Sequence, residues 1–248
     1  MFISVREMAR YWNITPSGIL HVGAHLAEEA SEYEKYGWLP AIWVEAQPDL
    51  AKVLNSKLDP TRHKVLEAAI WDVDGVDLSL HIASSSQSSS LLDFGTHAKL
   101  YPDITYVSDV KVTTKRLDAL IEANEMPNFV NIDIQGVELQ AIKSLGKLVQ
   151  IVDYIYVEVN KSALYENCTK VDELDNFLKN CGFTRKCTRW YLQEGWGDAL
   201  YVRSTKDIHR NLWRTIASDG IHWIFYLRQY LATLKKIFVK TYNYFRFA

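Results

Sequence analysis

His21-Val22-Gly23-Ala24-His25 joins a short apolar run, Gly18 to Val22, to a helical stretch from Glu28 to Tyr36. At the carboxyl end of a strand a glycine lets a ligand approach the backbone, and the helix that follows offers unpaired N–H groups. Glu45 ends the next apolar run, Ala41 to Glu45, roughly 20 residues after the glycine, the spacing at which a carboxylate accepts hydrogen bonds from both hydroxyls of a ribose. Together they point to a nucleoside, with a tight turn and a solvated acid as the plainer readings of the same residues. The diphosphate-binding GxGxxG is incomplete, because Ala27 is nearest its second position and a third glycine is missing. S-adenosylmethionine, which has no diphosphate, therefore fits this turn better than NAD. The expected cofactor contacts are Val22, Gly23, Ala24, His25 and Glu45, with Ala69 near the end of the third apolar run and Asp133 at the end of a later one.

These residues need strands to carry them to one edge. Ser4 and Glu7 have capping-box spacing, so a short helix from Val5 to Trp12 is expected before the Thr15-Pro16-Ser17-Gly18 turn. Gly18 to Val22, Ala41 to Glu45 and Lys64 to Ile70 read as strands, separated by helices at Glu28 to Tyr36 and Pro48 to Lys57. Apolar strands alternating with helices imply a parallel sheet covered on both faces, since parallel neighbours need a crossover. Asp74-Gly75 signals a hairpin between Ile70 and a strand from Val76 to Ile82, and Ser84 to Ser90 reads as a functional or mobile loop. Further strands are expected at Val107 to Thr113, Phe129 to Ile134, Ile151 to Val159, Gly182 to Trp190 and Ala199 to Arg203, the last two antiparallel. Helices are expected at Lys115 to Glu125, Val137 to Leu145 and Val171 to Asn180.

The chain has 248 residues, enough for one large α/β domain and an appendage, and 48% hydrophobic with 23% charged residues excludes wholesale disorder. A net charge of −2 gives no global attraction to nucleic acid. Cys168, Cys181 and Cys187 form no CxxC pair, so reduced thiols in a cytoplasmic protein are expected. Arg6, Glu7 and Arg10 interrupt any signal-peptide core, and no window has the apolar length of a membrane span. The division expected is a lead-in over 1–17, a catalytic domain over 18–203 and a distinct tail over 204–248. That tail holds eight Lys/Arg against two acids and 10 of the 31 aromatic residues, which leaves the preceding residues at −8. Ile224, Leu227, Leu231, Leu234, Phe238, Thr241 and Phe245 fall on one helical stripe flanked by basic residues. A helix over 221–248 of this kind suits peripheral contact with an anionic membrane or a partner, docking on the acidic domain, or a coiled coil weakened by like charges.

Several segments resemble the FkbM family of S-adenosylmethionine-dependent methyltransferases. They are HVGAH at 21–25, VEAQP at 44–48, AAIWDVDG at 68–75, QSSSLL at 87–92, TTKRLDAL at 113–120, NIDIQGVELQAIKSLG at 131–146, YVEVNKSALYENC and GWGDALYV. The resemblance implies a class I methyltransferase fold, Rossmann-like and doubly wound, with a seven-stranded, mostly parallel sheet whose last strand is antiparallel. It also implies O-methylation of sugar or polyketide hydroxyls. Four positions depart from the family pattern: His21 and Ala27 replace an Asp and a Gly, and Lys-x-Asp-x-Glu-Gly reads Asn131-Ile132-Asp133-Ile134-Gln135-Gly136, with Asn for Lys and Gln for Glu. Methyl transfer to a hydroxyl is an in-line displacement that requires alignment and removal of a proton. Asp133 is the first candidate to orient the acceptor or act as base, with a helix cap near Val137 as its structural alternative. His25 and Glu158 are further catalytic candidates. Gln87, Ser88, Ser89, His97, Glu138 and Asn160 form the expected acceptor set, whose hydroxyls and amides suit a glycan or other small-molecule acceptor. The acids among them could also bind a divalent metal, although no residue is assigned to one. The rivals are a nucleoside-binding scaffold without activity and an NAD-dependent oxidoreductase.

Overall fold

The computed structural model of the chain describes residues 1–191 and 195–206. β1 (Ile19–Val22) is buried at every residue and has parallel neighbours on both sides, β2 (Ala41–Glu45) and β7 (Phe129–Ile132). β3 (His63–Glu67) extends the sheet beyond β2, and β8 (Tyr154–Asn160) extends it beyond β7, all in parallel. β10 (Trp196–Arg203) then inserts antiparallel between β8 and β9 (Phe183–Trp190), giving the order β3-β2-β1-β7-β8-β10-β9. This is the expected seven-stranded Rossmann-like sheet with its antiparallel last strand. The chain runs outward from β1 in one direction and returns to β7 on the other side, so the switch point lies above Val22 and Ile132.

One face of the sheet buries an aliphatic core with Leu20, Val44, Val130, Ile155 and Val157, under α5 (Leu117–Leu120), α6 (Glu138–Ser144) and α7 (Val171–Asn180). The other face is aromatic, with Tyr33, Trp38, Trp43 and Phe129 packed beneath α1 (Val5–Tyr11) and α2 (Ala30–Lys35). α3 (Pro48–Lys57) follows β2 with Pro48 in its first turn, where a missing N–H costs nothing. Ser4 caps α1 by accepting from the Glu7 N–H at 3.2 Å, as its spacing predicts. Glu7 in turn pairs with Arg189 at 2.6 Å, with both side chains almost wholly buried, which ties α1 to β9.

Three expectations fail in the middle of the chain. Lys64 to Ile70 is two strands: after β3 the chain shifts, and β4 (Ala69–Ile70) joins a separate sheet with β5 (Asp77–Ala83) and β6 (Tyr106–Lys115). No hairpin forms at Asp74-Gly75, because β6 lies between β4 and β5. Thr114 supplies the reason, since its buried hydroxyl accepts from Val76 N–H at 3.0 Å and donates to the Val73 carbonyl at 2.7 Å, holding the turn against β6. The helix expected over Lys115 to Glu125 shrinks to the single turn of α5, because Ile121 extends and buries in the core instead of continuing it. α4 (His97–Leu100) is a short turn beside the serine loop. The helix expected over 221–248 lies outside the described residues, and among the described residues no helix is long and apolar enough to cross a membrane.

Candidate functional site

The carboxyl ends of β1, β2, β7 and β8 open into a cavity of about 590 Å³, roofed by the serine loop and bounded by Phe2 and Trp196. Gly23 has φ +89°, and a Cβ there would lie 1.9 Å from the Asp133 carbonyl oxygen. Its backbone N–H and that of Ala24 are both tied to the Val44 carbonyl, at 2.9 and 3.0 Å, so the turn is fixed against β2. Glu45 is held by two backbone donors, His25 N–H at 2.7 Å on one oxygen and Gln47 N–H at 2.8 Å on the other. Each oxygen keeps a second lone pair, and burial raises this carboxyl above the usual range. Val22, Ala24 and Ala69 also line the cavity. A cradle that only glycine permits, beside an anchored carboxylate, fits a nucleoside. Glu45→Ala is expected to weaken binding of S-adenosylhomocysteine by about 1–3 kcal/mol, the loss of hydrogen bonds to a charged acceptor. Calorimetry showing equal affinities for both proteins would remove the ribose assignment.

His25 sits in the left-handed region at φ +46°, with one ring nitrogen 2.6 Å from Glu28 and the other 2.8 Å from the Ser86 hydroxyl. Gln47 donates from its side chain to the Ser86 carbonyl at 3.3 Å. With both ring nitrogens engaged, His25 is placed to tie the cofactor turn to the serine loop, and the structure does not leave it a nitrogen for a proton from an acceptor. The loop itself is pinned. Ser89 accepts from the Ala83 N–H at 3.1 Å and Ser90 donates to the Gln135 carbonyl at 2.7 Å. Ser88 lies 3.3 Å from His97 Nε2. Gln87, Ser88, Ser89 and His97 all border the cavity, and His97 lies flat on Phe94 with centroids 4.1 Å apart and its basicity lowered by burial.

Asp133 is exposed to the cavity, just beyond the end of β7. Gln135, at φ +57°, donates to its Oδ1 at 2.6 Å and to Glu158 Oε2 at 3.0 Å, while the Tyr165 hydroxyl donates to the Gln135 side-chain amide oxygen Oε1 at 2.6 Å. Glu158 is buried directly opposite Asp198 in the β8–β10 ladder. Burial first, and then the charges of Asp133, Glu138 and Asp198, push the Glu158 carboxyl well above the usual range, and burial pushes Asp198 to about 6. Asp198 accepts from the Phe2 N–H at 2.6 Å and from the Tyr156 hydroxyl.

Glu138 and Asn160 do not reach the cavity. Glu138 is buried at the start of α6 and accepts from the Gly136 N–H at 2.8 Å; Asn160 is buried and donates to Glu158 Oε1 at 3.3 Å. Both support the wall from behind. Among the described residues no group of His, Cys, Asp or Glu has the arrangement of a metal site, so the donor set does not fit a divalent ion. Sequence reasoning missed Gln135 and Trp196 as site residues, and Asp198 as well, although the GWGDALYV segment already contains it.

The buried acids give the fold an unusual pH response. Burial raises Glu138 to about 7, so its contribution is fully present below its unfolded value and is lost as pH rises through 7; Asp198 behaves alike up to about 6. His21 opposes them, because burial lowers it to about 4 and its contribution is lost as pH falls from about 6.5 to 4. The carboxyls outnumber it, and above pH 6.5 they act alone. The cofactor-free protein is expected to melt at a higher temperature at pH 5.5 than at pH 7.5, with Glu138→Gln narrowing the gap; thermal unfolding across pH checks both.

Residues 21–184 match the family model of the methyltransferase FkbM domain. No curated protein matches the chain. Solved structures similar to it include magnesium protoporphyrin IX methyltransferase from Synechocystis PCC 6803 with bound SAM, 10% identical, with 81% of this chain and 76% of that one covered and a TM-score of 0.46. TrmK from M. capricolum in complex with S-adenosyl-homocysteine is 9% identical, with 83% and 70% covered and a TM-score of 0.43.

Proposed function

This chain belongs to the FkbM methyltransferase family, and from that premise we propose that it transfers a methyl group from S-adenosylmethionine to a hydroxyl of a sugar in a glycan, glycolipid or secondary metabolite. The observation that carries the reading is a single cavity that joins a cofactor end to a loop of hydroxyls and amides. Gly23 and the anchored Glu45 lie at the cofactor end, the serine loop borders the same cavity, and Asp133, whose backbone adjoins the Gly23 turn, is exposed to it. When bound, S-adenosylmethionine supplies a methyl group on a positively charged sulfur.

Val22, Gly23, Ala24 and Ala69 form the apolar walls of the cofactor end, and Glu45 accepts from the ribose hydroxyls. Asp133 accepts a hydrogen bond from the acceptor hydroxyl, which aligns the oxygen, and takes its proton as the new C–O bond forms. Gln135 holds the Asp133 side chain through its amide, and the Tyr165 hydroxyl holds Gln135. Gln87, Ser88 and the His97 face of the loop meet the remaining hydroxyls of the acceptor.

The test is incubation with methyl-¹³C S-adenosylmethionine and panels of glycans and glycolipids, with products read by NMR and mass spectrometry. An O-methyl signal on a saccharide is the expected result. Label on nitrogen or carbon would replace the acceptor reading, and cofactor binding with no transfer to any panel member would favour a binding protein that has lost its chemistry.

A further inference from the structure

The small sheet leaves one long edge open. β6 pairs with β5 along one side, whereas on its other side β4 reaches only Thr114 and Lys115, so among the described residues no strand covers that side from Tyr106 to Thr113. The end of β6 shows which groups line the edge. Thr114 N–H donates to the Val76 carbonyl at 2.9 Å, on the β5 side, and the Lys115 carbonyl accepts from Trp71 N–H at 3.0 Å, on the β4 side. Because successive residues alternate between the two sides of a strand, Asp109, Lys111 and Thr113 turn their N–H and C=O groups to the open edge. Those three side chains are exposed, and Val107, at 63%, is the most exposed large apolar side chain among the described residues.

Charges on an edge strand ordinarily keep other strands away. Here they have opposite signs and stand symmetrically about Val110, Asp109 before it and Lys111 after it. In an antiparallel pairing about a two-fold axis through Val110, Asp109 faces Lys111 of the partner subunit twice over, in hydrogen-bonded pairs, and Ser108 faces Val112. Moving the axis to Asp109 or to Lys111 sets a charge against itself, and parallel pairing in register does so at both positions. His81 Nδ1 lies 2.5 Å from Asp109 Oδ1 across the β5–β6 ladder, which fixes the carboxylate at the edge and leaves it room for a second donor. Leu78, Leu80, Ile82, Val110 and Val112 share one face of the small sheet, so the same pairing continues an apolar stripe across the axis.

We propose that two copies of this chain associate through β6, edge to edge and antiparallel about Val110, so that the small sheet runs on through both protomers. The occupant of the edge is a second copy because Asp109-Val110-Lys111, turned end to end, is its own charge complement. The inference is independent of the methyl-transfer reading. A contact made by one strand edge is small, of the class that exchanges, so monomer and dimer are expected to interconvert with concentration.

Sedimentation of the full chain over about 1 to 500 μM reads the association, and the wild type is expected to pass from monomer to dimer across that range. Asp109→Lys and Lys111→Asp each set like charges across the axis and are expected to weaken association about tenfold or more. An equimolar mixture of the two variants, in which every Lys again meets an Asp, is expected to recover the dimer. Val110→Cys gives a second measure, which decides alone if a reversed variant fails to fold. Across the axis this pair is not hydrogen-bonded and its Cα atoms stand about 4.5 Å apart, within disulfide reach, so mild oxidation is expected to yield a covalent dimer that the wild type does not form. A wild type that stays monomeric, a dimer indifferent to both reversals (as one held by residues 207–248 would be), a mixture that does not recover it, or a Val110→Cys protein that does not cross-link overturns the inference.

Discussion

Asp133→Asn is expected to lower turnover about 10²- to 10⁴-fold while affinity for S-adenosylhomocysteine stays within a few-fold, the range for loss of a positioned general base. The substitution keeps the shape of the side chain and its place beyond β7. It removes the charge that takes the proton and turns an acceptor of the Gln135 amide into a group of mixed polarity. Glu158 cannot substitute for it, because it is buried and its carboxyl is held well above the usual range. Steady-state rates on the acceptor found by the methyl-label screen, with calorimetry on the same preparations, give both numbers. Turnover within threefold of the wild type would move the proton-accepting role to another group.

Gly23→Ala should do comparable damage by a different route. The added methyl would meet the Asp133 carbonyl oxygen at 1.9 Å and carbon at 2.8 Å, both backbone atoms that cannot swing aside. The Asp133 N–H is bonded to the Val22 carbonyl at 3.0 Å, so β1 and β7 cannot separate at that point without losing the bond. Left-handed strain adds to the clash, and together a destabilisation of about 3 kcal/mol or more is expected, with a fall in melting temperature of roughly 6–12 °C. Cofactor affinity should fall by more than about a hundredfold, since the approach to the backbone is filled. Gly37→Ala is the control: it also has a positive φ, +70°, but its added methyl meets nothing within 4 Å. It should lose about 1 kcal/mol from strain and keep its affinity. Equal affinities in the Gly23 and Gly37 variants would show that close approach at Gly23 is not what the cofactor uses.

What the sequence disclosed is what local pattern encodes. The Ser4 cap, the Pro48 start of α3, the apolar runs of β1 and β2, and the spacing from Gly23 to Glu45 each depend on neighbours a few residues apart or on a fixed periodicity. The hairpin at Asp74-Gly75 failed because the competing partner, Thr114, is about 40 residues away and nothing near the turn announces it. Glu138 and Asn160 have the right chemistry for the cavity, yet a capping bond and a strand pairing draw them beneath it. Departures from the family pattern were the least legible part. His21 and Asn131 stand for an Asp and a Lys, which as isolated changes look like decay of a site. In the sheet they are register partners, and the Asn131 amide donates to the His21 ring at 3.2 Å and to the Tyr33 hydroxyl at 3.0 Å. Burial keeps His21 neutral, so the two positions hold an uncharged, hydrogen-bonded pair where the family pattern has two charged residues. Only a contact across 110 positions shows that the two changes belong together.

The insertion of β10 between β8 and β9 bears on how the molecule is made. Asp198, on that strand, holds Phe2, and Arg189 on its neighbour holds Glu7, contacts that span 196 and 182 positions. Pairings of such sequence separation carry the full entropy of closing a long loop, and they form after the local βα units that need no such closure. A chain emerging from the ribosome therefore completes β1, β2 and the Gly23 turn early but has no finished acceptor wall until residue 198 is available. The two ends of the cavity mature at different times, and the cofactor end is assembled first.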